Sequence, residues 1–503
     1  MPLFREETRN EEAAPLHLAW LAKARQSPLL ATALLLVVFK SIQFAVDSQV
    51  LFYNDSGAFL LNALGFAFIP ERSYVYGWLI RAFAVTSHSL RAIVTMQVLM
   101  GGFAAWLLAF ALMRYLRVRW WIATLAACLF AFDPMQIVQE HLILAETTAM
   151  LATALLLVAV LQYLLDLSAW WLVVVSLLGV VLVSLRIVYL PVVLAGAVLL
   201  PVCAYFASSL RRPRVLAVAL AVSCGSTTLF HLGYRHLTGR LAGREPAYHY
   251  RTGSFLVAVT APLVQARDAI DVRVAGAVLA QNQSRLPLSD PALRAHQMWS
   301  PDGLVARLRA VFPGDEREAD KAAERLAHTA ILRDPLGFVR LGLHTYLEYW
   351  RSIPSLDRIL PPENGTGPVP ALTPSDVRMI LATFGTDVSN QNTLHTPSRR
   401  YHLRGRYWNV FLLASPLLGF LILWSKAVPI RGSAPLVVWS FLLLTATCLG
   451  AGEVAYRYLH PFSFTGLAVA AAILETSLVR RVSGGKRRPN GDRATPAGKA
   501  SSR

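Results

Sequence analysis

The sequence predicts an all-α polytopic membrane protein of about ten transmembrane helices, carrying a mixed, mostly helical extracytoplasmic domain. Three observations carry that class. The chain is 55% hydrophobic and only 16% charged over 503 residues, well outside the soluble average. Apolar runs of near-spanning length recur along it, against the ~20 residues that a bilayer-crossing helix needs. Lys and Arg alternate from loop to loop in the way that cytoplasmic and external loops differ.

The runs fall at 29–46, 92–113, 119–133, 142–165, 169–185, 187–206, 214–232, 408–425, 434–450 and 456–478. The third is short, nearer the length of a re-entrant segment. Loop charge argues for keeping it. With ten spans, Lys23 and Arg25, then Arg114, Arg117 and Arg119, then Arg211, Arg212 and Arg214, then Lys426 and Arg431, and last Arg480, Arg481, Lys486, Arg487 and Arg488 all share one side. The opposite loops hold mainly Arg72, Arg81, Arg91, Arg186 and Arg457. Both termini are therefore expected in the cytoplasm. The first run begins late and has no small-residue cleavage site after it, so it reads as a retained anchor.

The expected division is a cytoplasmic N-terminus at 1–28, a transmembrane core at 29–232 whose first external loop is 47–91, an extracytoplasmic domain at 233–407, C-terminal transmembrane helices at 408–479, and a disordered basic tail at 480–503. The net charge of +18 sits largely in loop clusters and that tail, where topology and anionic headgroups account for it, so nucleic acid is not an expected partner. Cys128, Cys203, Cys224 and Cys448 stand alone in apolar runs, as buried small hydrophobes would. The external segment predicts a helix over Glu316–Arg333. Asp334-Pro335 then opens an amphipathic stretch to Trp350, whose Phe338, Leu341, Tyr346, Tyr349 and Trp350 suit a membrane interface. No nucleotide-binding or zinc motif appears.

Candidate chemistry begins in the first external loop. Lys40, Gln43 and Asp47 are spaced three and four apart on one helix face, so an intramembrane pairing of Lys40 with Asp47 is one reading of them. Asp55 follows the first run. It is either a helix N-cap before Ser-Gly-Ala-Phe-Leu-Leu or a catalytic base. A second external loop, Phe132 to Glu146, holds Asp133, Glu140, His141 and Glu146 with no Lys or Arg beside them. Glu146 lies inside the start of an apolar run, where an unpaired carboxylate is expensive and usually functional. His141 either touches substrate or satisfies a neighbour. Arg186 and Arg457-Tyr458 add guanidinium groups on the same side, suited to an anionic headgroup such as a lipid phosphate. Tyr53, Tyr74, Tyr76 and Trp78 either stack on a sugar or lie in the headgroup belt.

Several of these stretches resemble the GT-C glycosyltransferases, in the branch of the protein O-mannosyltransferases and the bacterial aminoarabinose and lipopolysaccharide-core sugar transferases. Pro70-Glu71-Arg72-Ser73-Tyr74-Val75-Tyr76-Gly77-Trp78-Leu79 is similar to that family's Pro-x-x-x-Tyr-x-x-x-Trp-Leu pattern. The Asp133-Pro134…Glu140-His141…Glu146 segment, Asp334-Pro335 before an amphipathic helix, and Arg457-Tyr458 near the last span also match. The resemblance implies a GT-C-like fold in the bacterial cytoplasmic (inner) membrane. It implies transfer of one sugar from a polyprenyl-phosphate donor to a glycan, lipid or protein acceptor, with membrane lipids around it. Asp55 would be the catalytic base, and Asp47, Glu140, His141, Glu146, Arg186, Arg457 and Tyr458 substrate-binding residues. No cofactor is required. The family often has two adjacent acidic residues in the first loop, whereas Ser56 follows Asp55 here, which leaves a divalent metal open. The alternatives are a ligase or polymerase of lipid-linked glycans, a polytopic transporter, and a non-catalytic scaffold.

Overall fold

A computed structural model describes residues 27–53, 55–65, 72–207, 212–352, 366–367, 372–389, 391–392, 396–405, 407–423, 429–452 and 454–484. The predicted cytoplasmic N-terminus apart from its last two residues, Pro70, Glu71, Glu453 and most of the basic tail lie outside these residues.

Helices dominate. In chain order they are α1 Pro28–Val46, α2 Ser56–Leu64, α3 Tyr74–Ile80, α4 Arg91–Arg114, α5 Trp120–Ala131, α6 Pro134–His141, α7 Glu146–Asp166, α8 Ala169–Leu185, α9 Leu190–Ala207 and α10 Pro213–Ala242. Then follow α11 Thr252–Thr260, α12 Val272–Asn282, α13 Arg294–Trp299, α14 Leu304–Val311, α15 Glu316–Arg333 and α16 Pro335–Arg351. The chain closes with α17 Pro374–Phe384, α18 Pro397–Arg404, α19 Trp408–Leu423, α20 Ile430–Gly450 and α21 Phe462–Gly484. Strand structure among the described residues is one antiparallel pair of two-residue strands, Thr366–Gly367 with Gln391–Asn392.

Seven stretches are long and apolar enough to cross a bilayer: α1, α4, α7, Ile187–Phe206, α10, Gly432–Gly450 and Phe462–Val479. Two further candidates are bent pairs, α5 with α6 at 48° and α18 with α19 at 57°, giving up to nine spans among the described residues where about ten were expected. The shortfall is α8, whose 17 residues stop below spanning length at the extended Arg186. Asp133-Pro134 breaks the third run. Pro has no N–H to continue α5, and Asp133 Oδ1 accepts from Met135 N at 2.7 Å to start α6 afresh. The protein is an integral multi-pass membrane protein.

The spans pack around one apolar cluster, and residues 257–330 pack around a second. The second is built on α15, whose Ala319, Ala322, Ala323, Leu326, Ala327 and Ala330 recur at helical spacing and are all buried. Small side chains bring α11 close: a Cβ at Gly253 would stand 2.1 Å from the Asp320 carbonyl oxygen. The predicted helix Glu316–Arg333 is observed with those bounds, capped by Asp315, and Asp334 caps α16 through Gly337 N at 2.7 Å.

Four expectations change. In α16, Leu341 and Tyr349 are buried, while Leu336, Val339, Leu343 and Leu347 form the exposed stripe, because α16 lays the first set against α19 and α20. Tyr346 Oη donates to Leu413 O, and Gly342 abuts Leu449. Lys40 does not pair with Asp47; it pairs across the bundle with Glu140 at 2.8 Å. Two helical turns separate Lys40 from Asp47, and Asp47 is already engaged by Ser398, whose N and Oγ donate to Oδ2 at 3.1 and 2.7 Å. The last helix runs to Gly484, into the predicted tail. Of the four cysteines only Cys448 is buried, and Cys203 is exposed.

Candidate active site

A short backbone stitch positions the first loop. Leu51 forms a parallel bridge with Leu142: Leu51 N donates to His141 O at 2.8 Å and Ile143 N to Leu51 O at 3.1 Å. Ser56 extends it, its Oγ accepting from Tyr53 N at 2.8 Å and donating to Ile143 O at 3.1 Å. The result sets Asp55 and Glu146 on the wall of one cavity of about 690 Å³. That volume lies within the usual range for ligand sites.

Asp55 stands at the N-cap position of α2, yet its carboxylate caps nothing. Arg72 Nη2 lies 2.6 Å from its Oδ1, and Arg457 Nη1 lies 3.4 Å from its Oδ2. Arg457 also approaches Glu146 Oε1 at 3.8 Å, and Arg186 Nη2 reaches the same oxygen at 3.0 Å. Tyr458 sits between the two guanidinium groups, its ring centroid 5.1 Å from Arg186 and 5.2 Å from Arg457, and its Oη accepts from Arg457 Nη2 at 3.3 Å. Tyr53 takes Arg457 on its own ring face at 4.8 Å. Aromatic walls thus hold Arg457 flat while its edge serves both carboxylates.

Burial pushes Asp55 up, but Arg457, Arg72 and Arg186 outweigh it and hold the carboxyl below its ordinary value. His249, on the same wall, is pushed down to about 4 by burial and by Arg72, and is neutral at physiological pH. Arg294 completes the charged lining, donating to Ala451 O at 3.2 Å and Thr345 Oγ1 at 3.0 Å. Four guanidinium groups, Arg72, Arg186, Arg294 and Arg457, therefore face two carboxylates, Asp55 and Glu146. The charged lining of the cavity is therefore net positive. The lining also includes the apolar Val188, Phe255, Val259, Met298, Trp299 and Leu443, and Leu443 belongs to the α20 span.

Of the residues singled out in the sequence, Tyr53, Asp55, Glu146, Arg186, Arg457 and Tyr458 meet here, whereas Asp47, Glu140 and His141 do not line the cavity. Asp47 holds Ser398, Glu140 holds Lys40, and His141 Nδ1 lies 3.0 Å from Gln49 O. Arg72, His249 and Arg294 escaped the sequence reading. Arg72 had one local signal, its place in the same short loop as Asp55, while His249 and Arg294 lie 194 and 239 positions after Asp55. Among the described residues no three His, Cys, Asp or Glu side chains converge as a metal site requires.

No family model matches the chain, and no curated protein matches it. Solved structures that resemble it include two crystal structures of ArnT from Cupriavidus metallidurans. The one bound to undecaprenyl phosphate has a TM-score of 0.32 and 14% identity, over 94% of this chain and 81% of that one. The apo form has a TM-score of 0.29 and 15% identity, over 92% and 78%.

Proposed function

We propose that this protein is a membrane glycosyltransferase that moves one sugar from a polyprenyl-phosphate donor to a hydroxyl of a glycan, lipid or protein acceptor on the extracytoplasmic face. One observation carries the reading. A single cavity combines arginines, among which an ionised carboxylate is held, with apolar lining residues, one of them on a membrane span. A phosphate suits the arginines and an isoprenoid chain the apolar residues.

In the reaction, the acceptor oxygen bonds to the anomeric carbon as the bond from that carbon to the phosphate oxygen breaks. The hydroxyl proton passes to Asp55. A carboxylate held at low pKa is a weak base, but the attacking oxygen becomes strongly acidic as its new bond forms, so the proton moves late. The electron pair of the broken bond leaves with the polyprenyl phosphate, whose added charge Arg457, Arg186 and Arg72 offset in a partly dehydrated site. One direct displacement inverts the anomeric carbon. Glu146 holds Arg186 and Arg457 in position through its ion pairs.

Binding of undecaprenyl phosphate to the purified protein in lipid nanodiscs, followed by native mass spectrometry, tests the anion site. The reading expects a retained lipid adduct that Arg457→Met weakens at least tenfold. An affinity unaffected by that substitution removes the phosphate from this cavity.

A further inference from the structure

A buried ion pair between the spans is linked by side-chain hydrogen bonds to the cavity wall. Lys40 Nζ lies 2.8 Å from Glu140 Oε1 and also donates to Gln43 Oε1 at 2.9 Å and Ala131 O at 3.0 Å. Glu140 is fully buried, and its Oε1 accepts a further hydrogen bond from Gln136 Nε2 at 2.7 Å. The room for it comes from Gly101, where a Cβ would stand 1.7 Å from that oxygen. Gln136 has one end that donates and one that accepts. A carboxylate accepts, so the amide nitrogen faces Glu140, and the atom 2.6 Å from His460 Nε2 is the amide oxygen. His460 Nε2 therefore carries the proton.

His460 lines the cavity beside Arg457 and Tyr458. Burial, with Arg186 adding to it, pushes the ring down to about 3, so it is neutral at physiological pH. A neutral ring protonated at Nε2 has a bare lone pair at Nδ1. Among the described residues Nδ1 has no hydrogen-bond partner, although Nε2 is firmly held.

We propose that His460 is a specificity-determining residue whose Nδ1 accepts a hydrogen bond from a hydroxyl of the transferred sugar, and that Gln136, Glu140 and Lys40 are positioning residues that hold it in the tautomer able to do so. This rests on the sugar-transfer reading above. It also gives Glu140 a part in the site without contact with substrate. A site built to pair with a hydroxyl rejects an analogue lacking it, because the buried acceptor is then left unpaired.

Two substitutions separate the two ring nitrogens. His460→Asn places an amide where Nδ1 stands and does not reach Gln136; His460→Gln places one where Nε2 stands and leaves the cavity without its acceptor. With the parent polyprenyl-phosphate sugar and its monodeoxy analogues as donors, the wild type is expected to reject one analogue by about a hundredfold or more. His460→Asn should keep much of that discrimination and His460→Gln should lose it. If His460→Gln discriminates as well as His460→Asn or better, His460 is a strut for Gln136 and the proposal is overturned. A wild type inactive with every such donor overturns the transferase reading and this inference together, whereas an active wild type with the reversed order overturns this inference alone. Nitrogen NMR of histidine-labelled protein reads the tautomer without turnover, the His460 signal being assigned by its loss in either variant. The ring is expected as Nε2–H in the wild type and as mixed tautomers in Gln136→Leu. A wild-type Nδ1–H ring or imidazolium overturns the proposal even if both His460 variants fold but turn over no donor.

Discussion

Arg457 Nη1 lies 3.4 Å from Asp55 Oδ2, although 402 positions separate the two residues in the chain. The contact closes the first loop onto the turn before the last span, and Arg72 on the other carboxylate oxygen makes Asp55 the centre of a three-residue ion cluster.

Asp55→Asn keeps the size of the side chain and removes the base. Transfer should fall by about 10²–10⁴ in kcat, the usual contribution of a positioned proton acceptor. Lipid-phosphate binding should persist, because Arg457 and Arg186 keep Glu146 as their partner. Parallel turnover and undecaprenyl-phosphate binding measurements on the same preparation check this.

The pH profile carries a sign. Asp55 has its folded pKa depressed, so its ionised form persists below the ordinary carboxylate value of about 3.9, and the acid limb of kcat/KM lies under it. Its contribution to stability is likewise complete above the unfolded value and is lost as pH falls through the folded one. Arg72→Met removes one of the cations that hold the value down, so the acid limb should move to higher pH. An initial-rate profile of the two proteins decides it.

Lys40→Met leaves Glu140 charged and buried without its cation, a loss of about 3–5 kcal/mol for buried pairs of this kind. The double change Lys40→Met with Glu140→Leu should recover much of that stability, because two apolar side chains replace an ion pair. Thermal unfolding in detergent of the two single variants and the double variant completes the cycle.

Gly253→Ala should lower the unfolding temperature more than an exposed alanine change does, since its Cβ would meet the Asp320 backbone oxygen at 2.1 Å. Differential scanning fluorimetry with Gly276→Ala as control, where a Cβ meets nothing within 4 Å, separates the clash from helix propensity.

What the sequence disclosed was local. Apolar period and cap chemistry sufficed for Glu316–Arg333 and for Asp334-Pro335, because a capping oxygen and an alanine stripe act within a few residues. Asp55, Glu146, Arg186 and Arg457 were legible because a charged group beside an apolar run is costly unless it has work to do or a partner. Partners were not legible. Lys40 meets Glu140 and Asp47 meets Ser398 only once helices are packed, 100 and 351 residues apart. The face of α16 was misassigned because aromatic residues suit a protein interior as well as a headgroup layer, and only contact with α19 and α20 decides between them.

The central claim is that Asp55 and its arginines transfer one sugar from a lipid phosphate. The most direct measurement is mass spectrometry of envelope glycans and glycolipids from a deletion strain complemented with wild type or with Asp55→Asn. The account predicts that one monosaccharide mass is absent in the deletion strain, returns with the wild type and stays absent with Asp55→Asn. Full restoration by Asp55→Asn would contradict the catalytic role, and loss of a whole polymer instead of one sugar would make the protein a ligase or polymerase of preassembled glycans.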